Sequence, residues 1–192
     1  MKRIIDFDKW LFLKINREGV AGFLDTLMPI IRQPLVWIPF YLFLALFIIL
    51  NFPKKAVSWL FTLGVTVGIT DFISSSIIKP YFGRLRPCND PTLADQVRLL
   101  ANYCGQNGSF TSSHASNHFA IAMFLFFTLK EVWGKYCFIF FVWAACICYA
   151  QIYVGVHFPI DIIGGTIVGL TTGWMAAFIF KKTGGLIPSP EK

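Results

Sequence analysis

Charge is scarce in this chain. Only 14% of its 192 residues are Asp, Glu, Lys or Arg, against roughly 25% in a soluble domain. That shortage leaves too little polar surface for an ordinary soluble enzyme. With 56% hydrophobic residues and a mean hydropathy of +0.63, a disordered tail is excluded as well. Internal repeats and low-complexity stretches are absent. Acidic residues are fewest, 10 against 17 Lys and Arg. In a membrane chain so modest an excess serves topology and lipid head groups, and it implies no nucleic-acid partner. Histidine occurs three times, so where those three stand carries weight.

What the sequence has in abundance is long apolar runs. A spanning helix needs about 20 mostly apolar residues to cross roughly 30 Å of hydrocarbon. Pro34 to Leu50, Ala56 to Ile78, Ala115 to Leu129, Tyr136 to Val156 and Ile162 to Phe180 qualify or nearly do, and the second carries one charge, Asp71. The expectation is an all-α integral membrane bundle of about five to six transmembrane helices, forming one domain over 1–192. The N-terminus is not a cleaved signal peptide, because Asp6, Asp8 and Lys9 interrupt its apolar core. Ile4, Phe7, Trp10, Leu11, Lys14 and Ile15 instead mix apolar and basic positions at helical spacing. The segment 1–33 is therefore expected to hold a helix lying in the membrane interface. Val20 to Ile31 is apolar but short, re-entrant or interfacial, and Pro188 to Lys192 suggests a frayed tail.

Five spans imply sidedness. The polar segments Lys79 to Ser113 and Gln151 to Asp161 follow spans two and four, so they share a face. The other face carries Lys54, Lys55, Lys130, Lys135, Lys181, Lys182 and Lys192, which makes it cytoplasmic by the positive-inside tendency. The polar segments then face the periplasm or exterior, across a cell (inner) membrane. Against this, the N-terminal stretch with six basic residues also falls outside.

Three groups of residues collect on that outer face. Lys79, Arg84 and Arg86 form a cationic cluster at the end of span two, suited to a phosphate or to anionic lipid heads. Thr111-Ser112-Ser113-His114 opens span three, where hydroxyl residues and free backbone N–H groups make an anion cradle. A histidine at such an entrance can protonate a departing alkoxide. His157 and Asp161 stand four apart between spans four and five, facing the same side of a helix. The carboxylate can fix the tautomer of the ring and leave its other nitrogen nucleophilic. All three histidines fall in the last two groups, since His118 follows His114.

These residues resemble the type-2 phosphatidic acid phosphatase superfamily, whose signature is K-x6-RP, then PSGH, then SR-x5-H-x3-D. Lys79 and Arg86-Pro87 match the first part. Ser112 and His114 match the second, with Thr111 for Pro and Ser113 for Gly. His157 and Asp161 match the third, but Ala150 and Gln151 stand where the family has Ser and Arg. The resemblance covers about Asp71 to Gly165. It implies that His157 attacks phosphorus to form a phosphohistidine, oriented by Asp161, while His114 protonates the leaving oxygen. Lys79, Arg86, Ser112, the amides around Ser113 and position 151 would hold the phosphate oxygens. No metal or other cofactor is implied. The implied substrate is a lipid phosphomonoester or diphosphate: phosphatidic acid, phosphatidylglycerol phosphate, polyprenyl diphosphate or lipid A.

Gln151 offers a neutral amide in place of a charged fork. Arg84 is a candidate to supply the missing charge. If nothing does, the chain is a non-catalytic binder of lipid phosphates, and capture of the phosphohistidine by an alcohol would make it a phosphotransferase. Asp71, inside span two, is expected to pair with a buried polar group or a motif cation. The pair His114 and His118 could bind zinc, but no Cys or carboxylate set completes a site. Cys137, Cys146 and Cys148 fall within span four as packing residues. Cys88 and Cys104 lie together in the outer loop, as free thiols or, in an oxidising compartment, as a disulfide closing about 16 residues and worth about 3 kcal/mol.

Overall fold

Backbone groups in hydrocarbon must find their hydrogen bonds within their own segment, so the apolar runs fold as helices. The computed structural model describes residues 2–93 and 95–186; the tail from Pro188 onward, Lys192 included, lies outside that range. Helix α1 (Lys2–Leu13) runs on through a wider turn over Lys14–Glu18, followed by α2 (Gly22–Ile31) and α3 (Ile38–Asn51). Helix α4 (Pro53–Phe72) continues through a widened turn, Ile73–Ile78, into the single turn α5 (Lys79–Phe82). Gly83, at φ 56°, ends it in a left-handed conformation that favours glycine. After a long loop come α6 (Ser113–Trp133), α7 (Ile139–Tyr153) and α8 (Pro159–Lys182). Among the described residues there is no strand.

Four continuous helical runs are long and apolar enough to cross a membrane: Pro34–Asn51, Pro53–Asn89, Ser113–Tyr153 and Pro159–Lys182. The third, of 41 residues, reverses at Gly134, whose φ is 55°, and α7 then packs back along α6. With that reversal counted, five apolar helices occupy the five stretches expected from the sequence. The chain is a multi-pass helical membrane bundle.

Helix α6 is the hub. Its Ile121, Phe124, Leu125 and Leu129 are buried in the main core with Ile48, Trp59, Phe140 and Phe180. The closest contact is with α8, and three glycines at four-residue spacing allow it. A Cβ at Gly165, Gly169 or Gly173 would meet the carbonyl oxygens of Ser112, Ser116 and Ala120 at 2.5, 2.2 and 2.3 Å. Small residues at this spacing let two membrane helices bring their backbones together. That seam runs straight up to the N-termini of both helices, which carry His114 and Asp161.

The two ends of the bundle differ. At one, Lys55 Nζ reaches the Thr183 carbonyl at 3.0 Å and Lys181 pairs with Glu131 at 2.7 Å. The other end holds the motif residues Lys79, Arg84, Arg86, His114, His157 and Asp161, together with the N-terminal segment. Helix α1 turns Ile4, Phe7 and Trp10 outward and buries Asp8 and Phe12, the sense an interfacial helix requires. Asn16 is buried and ties this segment down: its amide donates to the carbonyls of Arg98 and Tyr153 at 2.8 and 2.7 Å. Helix α2, whose placement the sequence left open, rests on α7 through Met28, Ala150, Tyr153 and Val154.

Candidate active site

The site is assembled from helix ends. Ser112 caps α6 and Pro159 opens α8, as residues of those types should. Asp161 occupies the third position of α8, where its carboxylate accepts the Phe158 N–H at 2.8 Å. Its backbone carbonyl accepts the Ser112 N–H at 3.0 Å, which locks the two helix starts together. The glycine seam and this bond fix His114 and His157 on neighbouring helix ends.

His157 lies in the bend between α7 and α8 and is almost wholly buried. Its Nδ1 faces Asp161 Oδ2 at 3.5 Å, and Arg86 Nη1 faces its Nε2 at 3.5 Å. An arginine can only donate, so this arrangement puts the ring proton on Nδ1 and a lone pair on Nε2. Burial pushes the imidazole down to about 4, against an opposing pull from the Asp161 hydrogen bond. The ring is neutral at ordinary pH, the state a nucleophile needs.

Asp161 is fully buried and accepts bonds from all sides. Arg84 Nη1 donates to Oδ1 at 2.7 Å, and Ser109 Oγ donates to Oδ2. Arg84 also reaches Asp8 Oδ2 at 2.5 Å, while Asp8 Oδ1 accepts the Ile160 N–H at 2.9 Å. Arg84 therefore does not face the site as a free cation: it is held between two carboxylates. Lys79 and Arg86 are placed differently. Lys79 Nζ donates to Ser113 Oγ at 2.7 Å, and Arg86 Nε donates to the Asn107 carbonyl at 3.1 Å. Neither has a carboxylate partner among the described residues. Both line a cavity of about 360 Å³ with Arg84, Asn107 and Gly108. The absence of a side chain at Gly105 matters here, because a Cβ would come within 3.1 Å of the Arg86 guanidinium.

His114 and Ser113 line a second cavity, about 240 Å³, with Asp71, Asn117 and His118. Asp71 accepts from Asn117 Nδ2 at 3.0 Å and Ser75 Oγ at 3.4 Å, so it pairs with polar groups rather than directly with a motif cation. The His118 ring stacks parallel to that of His114, and its Nδ1 lies 2.8 Å from the His114 carbonyl. Gln151 is fully buried and accepts from Arg32 Nε at 3.4 Å. Cys88 and Cys104 are joined as a disulfide, with Cα atoms 6.1 Å apart. That bridge closes the loop between Arg86 and Gly105.

Lys79 and Arg86 thus line one cavity and His114 another, near the N-terminal ends of α6 and α8, with His157 buried between Asp161 and Arg86. Residues 59–184 match the family model described as "PAP2 superfamily". The chain belongs to the PAP2 superfamily. It is 33% identical over 92% of its length to a lipid A 4'-phosphatase of Bacteroides thetaiotaomicron, covering 78% of that protein. A lipid A 4'-phosphatase of Porphyromonas gingivalis is 32% identical, over 94% of this chain and 75% of that one. Among solved structures, Aquifex aeolicus LpxE superposes with a TM-score of 0.60 at 25% identity, covering 86% of this chain and 92% of that one. A PAP2-type phosphatidylglycerolphosphate phosphatase from Bacillus subtilis shares the fold, with a TM-score of 0.67 at 19% identity over 95% and 88% of the two chains. Like its PAP2 relatives, the chain is a membrane lipid phosphatase.

Asp8, Asn16, Arg32 and Ser109 had no place in the motif reading, yet all bear on the site. Asp8 had one legible sign: an acid among Ile4, Phe7 and Trp10 is out of place on an interfacial helix unless it points inward. Arg32, Asn16 and Ser109 carry no pattern of their own.

Proposed function

We propose that this PAP2 phosphatase removes a phosphate monoester from a lipid A-type saccharide lipid, through a phosphohistidine, at the non-cytoplasmic face and without a metal. The observation that carries the reading is His157 between Asp161 and Arg86, with Lys79 nearby, which like Arg86 has no carboxylate partner among the described residues. The substrate class rests on two relatives, both named lipid A 4'-phosphatases, that align over most of this chain.

The chemistry follows from the contacts. The lone pair on His157 Nε2 attacks phosphorus, and the P–O bond to the lipid breaks. His114 gives its proton to the leaving oxygen, then takes one from the water that attacks the phosphohistidine; the N–P bond breaks and phosphate leaves. Lys79, Arg86, Ser112 and the Ser113 amide hold the non-bridging oxygens, where charge must be stabilised during transfer. Asp161 steadies the ring, and Arg84 steadies Asp161. The lysines at the far end, Lys54, Lys55, Lys130, Lys135, Lys181 and Lys182, favour a cytoplasmic placement for that end. Of the six basic residues in the N-terminal segment, Lys9 pairs with Asp90 at 2.6 Å and Lys14 with Glu18, which lightens the opposing charge.

The test is phosphate release by detergent-purified protein from lipid A, phosphatidic acid, phosphatidylglycerol phosphate and polyprenyl diphosphate, with EDTA present. Release from lipid A that survives chelation and disappears in His157→Ala is expected. Binding without release from any of them would instead favour the non-catalytic reading, and phosphorylated lipid products would favour transfer.

A further inference from the structure

Several basic side chains at this end of the molecule are neutralised. Arg84 has Asp8 and Asp161, Arg98 has Asp25 at 2.7 Å, and Lys9 has Asp90. Arg32 stands apart. It lies on the short link between α2 and the turn that opens at Pro34, and it forms no ion pair among the described residues. Its one side-chain partner is a neutral amide oxygen, that of Gln151. Burial lowers its pKa from the ordinary value, the nearby Tyr103 hydroxyl opposes that, and the Arg86 charge lowers it further. His114 also lies within reach of its charge.

A half-buried guanidinium that feels another arginine's charge and has only a neutral amide for a partner is unfavourable unless an anion joins it. The structure offers no carboxylate for that place. Gln151 itself is wholly buried, and its amide nitrogen has no hydrogen-bond partner. This buried, unpartnered donor sits beside the Arg32 guanidinium. Both point to a ligand rich in acceptor oxygens, bounded by Arg86 and His114.

We infer that Arg32 is a phosphate-binding residue of this site, with Gln151 as the residue that positions it. This rests on the phosphatase reading above. It also accounts for the neutral residue at 151, where the resemblance to the superfamily breaks: the charge enters from the N-terminal segment instead of from α7. Arginine suits the role because its planar fork can grip two oxygens at once.

The experiment moves the charge back. Wild type, Arg32→Gln, Gln151→Arg and the double variant Arg32→Gln/Gln151→Arg are purified in detergent and assayed on lipid A. Orthovanadate affinity is measured alongside by calorimetry. Arg32→Gln is expected to lower kcat/KM by about 10²-fold, chiefly through kcat, as for loss of one oxyanion donor. It should weaken orthovanadate binding in parallel. The double variant should recover at least about tenfold of the loss, because position 151 lies against Arg32 and an arginine there reaches the same space. An unchanged kcat/KM in Arg32→Gln overturns the assignment. So does a folded double variant no better than Arg32→Gln, since packing rather than charge would then be at stake. If wild type releases no phosphate from any lipid, the hydrolase reading falls by itself. Orthovanadate then decides the binding role: weaker binding in Arg32→Gln with recovery in the double variant upholds it, and equal binding in all four proteins overturns it.

Discussion

The α6–α8 seam and the polar layer above it position the same site by opposite physical means. In the seam, backbone meets backbone across Gly165, Gly169 and Gly173, and the geometry is set by what is absent, a Cβ. In the polar layer, Asp8, Asn16, Arg32, Arg84 and Ser109 act over long sequence separations through charge and hydrogen bonds. The seam tolerates almost no added volume, because neither backbone can move aside. The layer tolerates shape changes but not the loss of a partner, since that strands a buried charge. His157 and Asp161 stand where the two meet.

The sharpest test of this contrast is volume in the seam. Gly169→Leu should abolish folded yield or cost on the order of 3 kcal/mol or more. Gly68→Ala, in α4 with nothing within 4 Å of an added Cβ, should leave the thermal midpoint unchanged or raise it. Equal damage from both would end the idea that the seam is special.

Next comes the covalent tie in the layer. Replacing Cys88 and Cys104 by Ser should cost about 3 kcal/mol on the chain-entropy model, for a bridge across a sequence separation of 16. A thermal midpoint indifferent to dithiothreitol, with both thiols free to labelling in oxidised membranes, would remove the bridge from the account.

Asp8→Asn keeps the size of the side chain and removes its charge. It should cost about 2 kcal/mol, the worth of a charged hydrogen bond, and lower kcat more than it raises KM, because Arg84 would hold Asp161 less firmly. A variant with wild-type kinetics would mean that Arg84 holds Asp161 without help from the Asp8 charge. The smallest effect belongs to the far end: Glu131→Gln breaks an exposed pair with Lys181 and should change stability by less than about 0.5 kcal/mol.

Much of this was legible in the one-dimensional pattern. Apolar length located the five helices, since hydrocarbon thickness sets it directly. Lys79, Arg86, His114, His157 and Asp161 could be read because each sits at a helix end, at a spacing that local geometry imposes. Asp71 was legible as a buried acid, though its partner, Asn117 on α6, was not. Arg84 illustrates the limit. Its type suggested a substituted phosphate ligand, yet two carboxylates 76 and 77 residues away hold it elsewhere. Residue type tells what a side chain can bind, and only proximity tells what it does bind.

Composition and periodicity thus pointed to the membrane bundle and to the gathering of the histidines at one end of it, because these follow from burial in lipid and from helical repeat. The tertiary structure alone decided which cations remain unneutralised. It brought Arg32 to Gln151 across 119 residues and Asp8 to Arg84 across 76, and the charges left over depend on such pairings, which no local pattern encodes.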